Sequence, residues 1–300
     1  MVSIVLPTYN RSTTLPRAID SVLAQSFADW ELVLVDDGSS DDTAAVLARY
    51  DDPRIKVFRH ERNRGVTAAK NTGFDHIAGE WFVMLDSDDE MVPEALAVLM
   101  ETAEKTGASA ITCNCTDTRT GEMSGRGWDA DGWKEPADLA QISGEHWGMQ
   151  KTALLGSSRF DERLPGMEGI LWLKVTHRAG RRYYLHRALR IYHTEGSDRI
   201  SSRGRRSIRE QADIDCAIGD DEEYLRILSV ANPQKCHRVV RRVWRARVVS
   251  LFLRRQGAQR SSSVLLILGL FSMTITTALV LAGFWYVLGA HRSPRGREGT

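Results

Sequence analysis

The sequence predicts an α/β domain built on a mixed, mainly parallel sheet flanked by helices, followed by a basic amphipathic helix and one membrane-spanning helix. Three observations carry this expectation. The first third of the chain alternates short apolar runs with helical patterns, as strands of a parallel sheet alternate with crossover helices. Those runs end in polar, acid-rich loops, and ligands of such sheets bind beyond the carboxyl ends of the strands. Near the end of the chain, Val264 to Ala290 is a run of twenty-seven residues without a charge, where about twenty suffice to cross the hydrocarbon core of a membrane.

Taken in order, "VSIVL" is the first strand and "PTYNRS" the turn after it, leading to a helix over Thr13–Gln25 with Ser12 or Thr13 as its cap. "WELVLV" is the second strand, "DDGSSDD" its turn, and a helix follows near Thr43 to Tyr50. "RIKVF" is the third strand, "VTAAKNTGFDHI" a helix, and "EWFVML" the fourth strand. Beyond Thr112 the alternation loosens into the glycine- and tryptophan-rich "GRGWDADGWKEP". A helix over Gly169–Ala179, a strand around Tyr183–Leu185 and a polar loop after Tyr192 follow, while residues 203–223 are too densely charged to show a period.

A formal net charge of +1 argues against a nucleic-acid protein, and it hides an asymmetry. From Lys235 onward one lysine and eleven arginines face the single acid Glu298, so this tail carries +11 and residues 1–234 carry −10. "CHRVVRRVWRARVVSLFLRR" interleaves valines with seven arginines just ahead of the uncharged run, a pattern suited to lying in the membrane interface against anionic lipids. Trp285 and Tyr286 near one end of that run fit the headgroup zone. "MVSIVLP" lacks the basic start and long apolar core of a signal peptide. The expected placement is therefore a single-pass protein of the cell membrane with its body on the cytoplasmic face. The four cysteines lack metal-binding or disulfide spacing, which points to reduced thiols.

Three polar clusters fall at strand ends and should meet in one crevice: "PTYNRS", "DDGSS" and "DSDDE". The last puts Asp86, Asp88, Asp89 and Glu90 straight after an apolar strand. Carboxylates there suit a hard divalent cation shared with substrate phosphates. Read alone, the same string serves equally well as acids at the N-terminus of a helix starting at Pro93.

"VSIVLPTYNRSTTLPRAIDSVLAQSFADWELVLVDDGSSDDT" followed by "NRGVTAAKNTGFDHIAGEWFVMLDSDDEMVP" resembles the glycosyltransferase family 2 domain with its GT-A, Rossmann-like fold. The resemblance implies an inverting transfer of sugar from a nucleotide-sugar donor, a UDP-sugar above all, to a hydroxyl, assisted by Mn2+ or Mg2+. It implies that Thr8 and Tyr9, with Pro7 beside them, frame the base, that Asp37 beside Gly38 hydrogen-bonds the pyrimidine, and that Arg64 lies near the nucleotide. Asp86 and Asp88, flanking Ser87, match the family's DxD motif, the second binding the metal. Glu168 in "LPGMEGILWLKV" aligns with the catalytic base, although Met167 replaces the usual first acid and Gly169 the usual aromatic. The alternative for Glu168 is a plain acid at a helix N-terminus, with Asp161 and Glu162 as fallback bases. His193 completes the metal's ligands, donates to phosphate, or is structural, and Arg199 in the same loop is a phosphate ligand.

The expected division is a donor-binding half over 1–112, an acceptor-binding and catalytic half over 113–230, the basic segment over 235–263, the span over 264–290 and a polar tail over 291–300. One apparent span and no QxxRW motif argue against a processive synthase. Transfer of one or a few sugars to a membrane-associated lipid-linked glycan, lipopolysaccharide or glycolipid is expected. Two rivals remain: a membrane-anchored protein that binds nucleotide sugars without catalysis, and a glycoside hydrolase using two carboxylates.

Overall fold

In the computed structural model, residues 1–194 and 207–256 are described. Four parallel strands open the sheet: β1 (Val2–Thr8), β2 (Trp30–Asp36), β3 (Ile55–Arg59) and β4 (Trp81–Met84). The next elements are β5 (Glu90–Met91), β6 (Ala110–Asp117), β7 (Gly132–Lys134), β8 (His146–Lys151) and β9 (Arg182–Tyr192). The spatial order is β3-β2-β1-β4-β8-β6-β9-β5, with β7 also paired to β9. β8 runs antiparallel to both β4 and β6, and this turns a parallel half into a mixed sheet.

All seven residues of β1 are buried, as expected of a central strand covered on both faces. On one face Ile4, Leu6, Leu32 and Leu34 pack with α1 (Leu15–Leu23) and α4 (Ala95–Thr106). On the other face Val5 and Phe82 meet Phe74 of α3 (Val66–His76) and Leu171 and Val175 of α5 (Gly169–Ala179). The short α2 (Thr43–Leu47) adds Val46 to the first of these clusters. Pro16 lies in the first turn of α1, where the missing N–H costs nothing.

Three differences from expectation have physical causes. β9 runs for eleven residues rather than three, because its charged members are held by ion pairs and hydrogen bonds that no alternation pattern reveals. The unassigned charged stretch contains α6 (Ile208–Asp220), opened by a reciprocal capping box between Ser207 and Glu210. The basic segment forms α8 (Pro233–Gln256), but its apolar stripe does not wait for lipid. Cys236, Val239 and Val243 pack against Ile214 and Ile218 of α6 and Leu228 of α7 (Glu222–Ala231), and only the arginine face stays exposed. The expected span at 264–290 lies outside the described residues, and among those described no helix is long and apolar enough to cross a membrane.

Gly219 of α6 packs directly against α8: an added Cβ would lie 2.2 Å from Val243 Cγ1. Gly219→Ala should therefore destabilise the bundle by about 1–3 kcal/mol through overpacking. Chemical denaturation checks this, and an unchanged midpoint would show that the helices can separate freely.

Candidate active site

The loops after β1, β2 and β4 converge as the strand pattern requires, and they are tied to one another by side chains. Asn10 adopts φ 50, a conformation asparagine tolerates. Its amide N–H donates to Ser39 Oγ at 2.9 Å, and its Oδ1 accepts from the Ser40 N–H at 2.8 Å. Asp41 accepts from the Ser12 N–H at 3.0 Å and from Thr43 Oγ1 at 2.5 Å. Burial raises its carboxyl, but these bonds to Thr43 and Ser12 outweigh that and hold it down at about 2. The result is one rigid rim around an open crevice of 2590 Å³, several times the volume of a drug-sized pocket and roomy enough for a donor and an acceptor together.

Pro7, Thr8, Tyr9, Asp37, Arg64, Asp86, Ser87, Asp88 and Glu168 all line this crevice. Tyr9 is 43% exposed at the mouth, an open aromatic face. Asp37 is more constrained than the sequence suggests. Its Oδ1 accepts from the Arg64 N–H at 2.9 Å and lies 2.7 Å from His60 Nδ1, and its Oδ2 accepts from the Gly65 N–H at 2.7 Å. Asp37 thus clamps the "NRG" turn against β2, leaving Oδ2 one acceptor position. Gly38 does not line the crevice: at φ +72 its Cβ would lie 2.6 Å from the Arg62 carbonyl carbon, so glycine is sterically required there. Arg64 reaches Glu162 Oε2 at 3.6 Å along the wall.

At the end of β4 the acids are arranged around a cation that sequence reasoning missed. Arg190 of β9 is 4% exposed. Its Nη2 lies 2.9 Å from Glu145 Oε1 and 3.1 Å from Asp89 Oδ2, and its Nη1 lies 3.7 Å from Asp86 Oδ2. Burial pushes the Asp89 carboxyl up to about 7 against the pull of Arg190. Burial also acts to raise Asp86, but Lys70, Arg190 and Arg11 more than offset it and keep that carboxyl below its ordinary value. Asp88 faces the crevice with Arg11 Nη2 at 3.6 Å, and its carbonyl accepts from Arg17.

Glu168 stands at the N-cap of α5, yet its side chain makes no capping bond. Its Oε1 lies instead 3.4 Å from Lys70 Nζ of α3, a half-buried contact on the crevice wall. Met167, which departs from the family pattern, packs against the α6–α8 core. Asp161 is held by Arg163, with Nη2 to Oδ2 at 2.6 Å.

His193 does not line the crevice. Its Nε2 lies 2.7 Å from Glu90 Oε1, and its N–H donates to Asp89 Oδ1 at 2.9 Å, so it braces the acidic loop from behind. Arg199 lies outside the described residues. Trp128 and Trp133 pack edge-on against Tyr184 and Tyr183 of β9.

Mixed α/β topology, with three strand-end loops bringing an open aromatic, a buried aspartate and a D-S-D pair into one crevice, defines the glycosyltransferase class that uses nucleotide sugars. Residues 3–142 match the family model "Glycosyl transferase family 2". Over 209 residues the chain is 36% identical to the Campylobacter jejuni "GalNAc(5)-diNAcBac-PP-undecaprenol beta-1,3-glucosyltransferase", covering 67% of each protein. It is 40% identical over 96 residues to the Escherichia coli "UDP-Glc:alpha-D-GlcNAc-diphosphoundecaprenol beta-1,3-glucosyltransferase WfgD", covering 32% of this chain and 38% of that one. Staphylococcus aureus TarS in complex with UDP-GlcNAc shares the fold, with a TM-score of 0.64 at 20% identity over 81% of this chain and 70% of the other. The chain belongs to glycosyltransferase family 2.

Proposed function

We propose that the protein transfers a sugar from a UDP-sugar to a hydroxyl of a membrane-associated, lipid-linked glycan by single displacement with inversion. The observation that carries this reading is Glu168, freed from capping and fixed by Lys70 on the wall of the crevice that Asp86 and Asp88 also line. In the reaction Glu168 accepts the proton of the acceptor hydroxyl. That oxygen attacks the anomeric carbon as the bond to the donor diphosphate breaks on the opposite face. Tyr9 stacks on the base, and Asp37 accepts from the pyrimidine through the position its clamp leaves open.

The carboxylates fit a divalent cation, Mn2+ or Mg2+. Asp86 and Asp88 offer oxygen ligands at the crevice, and such ions need only one or two protein carboxylates besides water and phosphate. Bound there, the ion supplies charge to offset the departing diphosphate. Arg190, from the crevice wall, and His193, from behind it, keep the acidic loop in shape.

Residues 1–112 supply the donor loops and 113–230 the base and the acceptor wall. Two relatives named for diphosphoundecaprenol-linked glycans support the acceptor class. Exposed Arg238, Arg241 and Arg245 on α8 support a membrane-facing side, with 264–290 as the anchor and the catalytic body in the cytoplasm.

A thermal-shift screen of nucleotide sugars with and without Mn2+ tests the reading. Ligand at about 100 times its Kd should stabilise the protein by about 2.7 kcal/mol. Asp88→Asn should remove the Mn2+-dependent part. If no sugar nucleotide gives a metal-assisted shift, the donor assignment fails.

A further inference from the structure

Arg182 opens β9 and is 7% exposed, yet among the described residues no carboxylate pairs with it. Its Nε, like that of Arg190, is fully enclosed without a hydrogen-bond partner among the described residues, and it has no carboxylate nearby to offset the burial, although buried charges are ordinarily paired. Eight residues further along the same strand, Arg190 shows the usual solution, three carboxylates around one guanidinium. Around Arg182 the sign is opposite: its register partner on β7 is Lys134.

Arg182 nevertheless lines the crevice, together with Thr112, Gln150 and Trp172. Gln150 of β8, 8% exposed, pairs with Ala110 of β6, the residue before the one that pairs with Tyr183. A buried guanidinium without a carboxylate and a buried amide thus line the crevice from the two strands that flank β6. Register shifts in β9 set its eight residues from Arg182 to Arg190 against only five of β6, which at about 3.3 Å per residue separates Arg182 from Arg190 and its acids by roughly 17 Å. The donor diphosphate, held at those acids, does not reach it.

We propose that Arg182 and Gln150 form an oxyanion subsite at the far, acceptor end of the crevice, taking a phosphoryl or carboxylate group carried by the acceptor. Assigning the anion to the acceptor rests on the sugar-transfer reading; the subsite is defined by its own residues. Arg182 supplies a forked set of donors suited to a two-oxygen anion, and Gln150 adds a neutral donor. Bound anion removes the penalty of an unpaired buried cation, so the site discriminates strongly against neutral groups at that position.

The test uses the full chain saturated with UDP and Mg2+, so that the donor site is filled, and calorimetric titration with inorganic phosphate and separately with glucuronate. Saturable uptake of either anion is expected, weakened at least tenfold by Arg182→Gln and retained by Arg182→Lys, with UDP affinity within twofold of wild type. Preference for phosphate assigns a phosphoryl group, and preference for glucuronate an acidic sugar. Should Arg182→Gln fold poorly, Gln150→Leu carries the same expectation of weakened anion uptake. The proposal is overturned if the UDP-loaded wild type takes up neither anion, or if uptake is unchanged in the variants. Failure of the wild type to bind UDP would instead overturn the donor reading and leave this subsite standing on the anion arm.

Discussion

Glu168→Gln is expected to lower turnover by about 10²- to 10⁴-fold, the range for removing a general base, while leaving donor affinity within twofold. At 1.36 kcal/mol per decade this adds roughly 3–5 kcal/mol to the barrier. Gln keeps the length of the side chain, and its amide oxygen can still accept from Lys70, whose Nζ lies 3.4 Å from Glu168 Oε1. Only the capacity to take a proton disappears. Stability should hardly move, because the Glu168 side chain makes no capping bond to α5. Turnover under donor-saturated conditions, paired with calorimetry of UDP binding, separates the two effects. Glu162→Gln is the control: that residue lines the crevice but is engaged by Arg64 and Asn71, and its loss should cost far less. Near-normal turnover of Glu168→Gln would return the base assignment to Glu162.

What the sequence made legible was local. The strand-end clusters "PTYNRS", "DDGSS" and "DSDDE" sit beside the apolar runs that place them, and the crevice they form follows from parallel topology. The helix at Gly169–Ala179 appears with the bounds its apolar period suggests. What stayed hidden depended on partners distant in sequence. Arg190 reads as one more charge in a mixed strand until β9 brings it to Asp89, a hundred residues earlier. Lys70 reads as a surface residue of α3 until the loop before α5 sets Glu168 opposite it. The basic segment misled because an arginine-rich helix with a valine stripe has the same pattern whether lipid or protein covers the stripe. Only the capping box at Ser207 and Glu210, which announces α6 and hence a protein partner, was there to decide.

Arg190→Met is expected to be the most damaging substitution for stability, at about 3–5 kcal/mol, because removing one partner leaves buried charge uncompensated. Asp89, 1% exposed, loses its counter-ion, and Glu145 and Asp86 lose theirs in part. Burial already pushes the Asp89 carboxyl up to about 7 with the guanidinium present. A carboxyl raised above its unfolded value contributes stability that is fully present below that unfolded value and is lost as pH rises through the folded one. Without Arg190 the folded value climbs further, so the variant's deficit should be smaller at pH 5 than at pH 8.5. Urea denaturation at the two pH values reads this directly. A double-mutant cycle with Asp89→Asn isolates the pair: the amide removes the stranded charge, so Arg190→Met should cost markedly less in that background. Equal cost in both backgrounds, or a deficit independent of pH, would mean that Arg190 contributes through packing alone. The carboxylates at the end of β4 would then owe their arrangement to the backbone of their own loop.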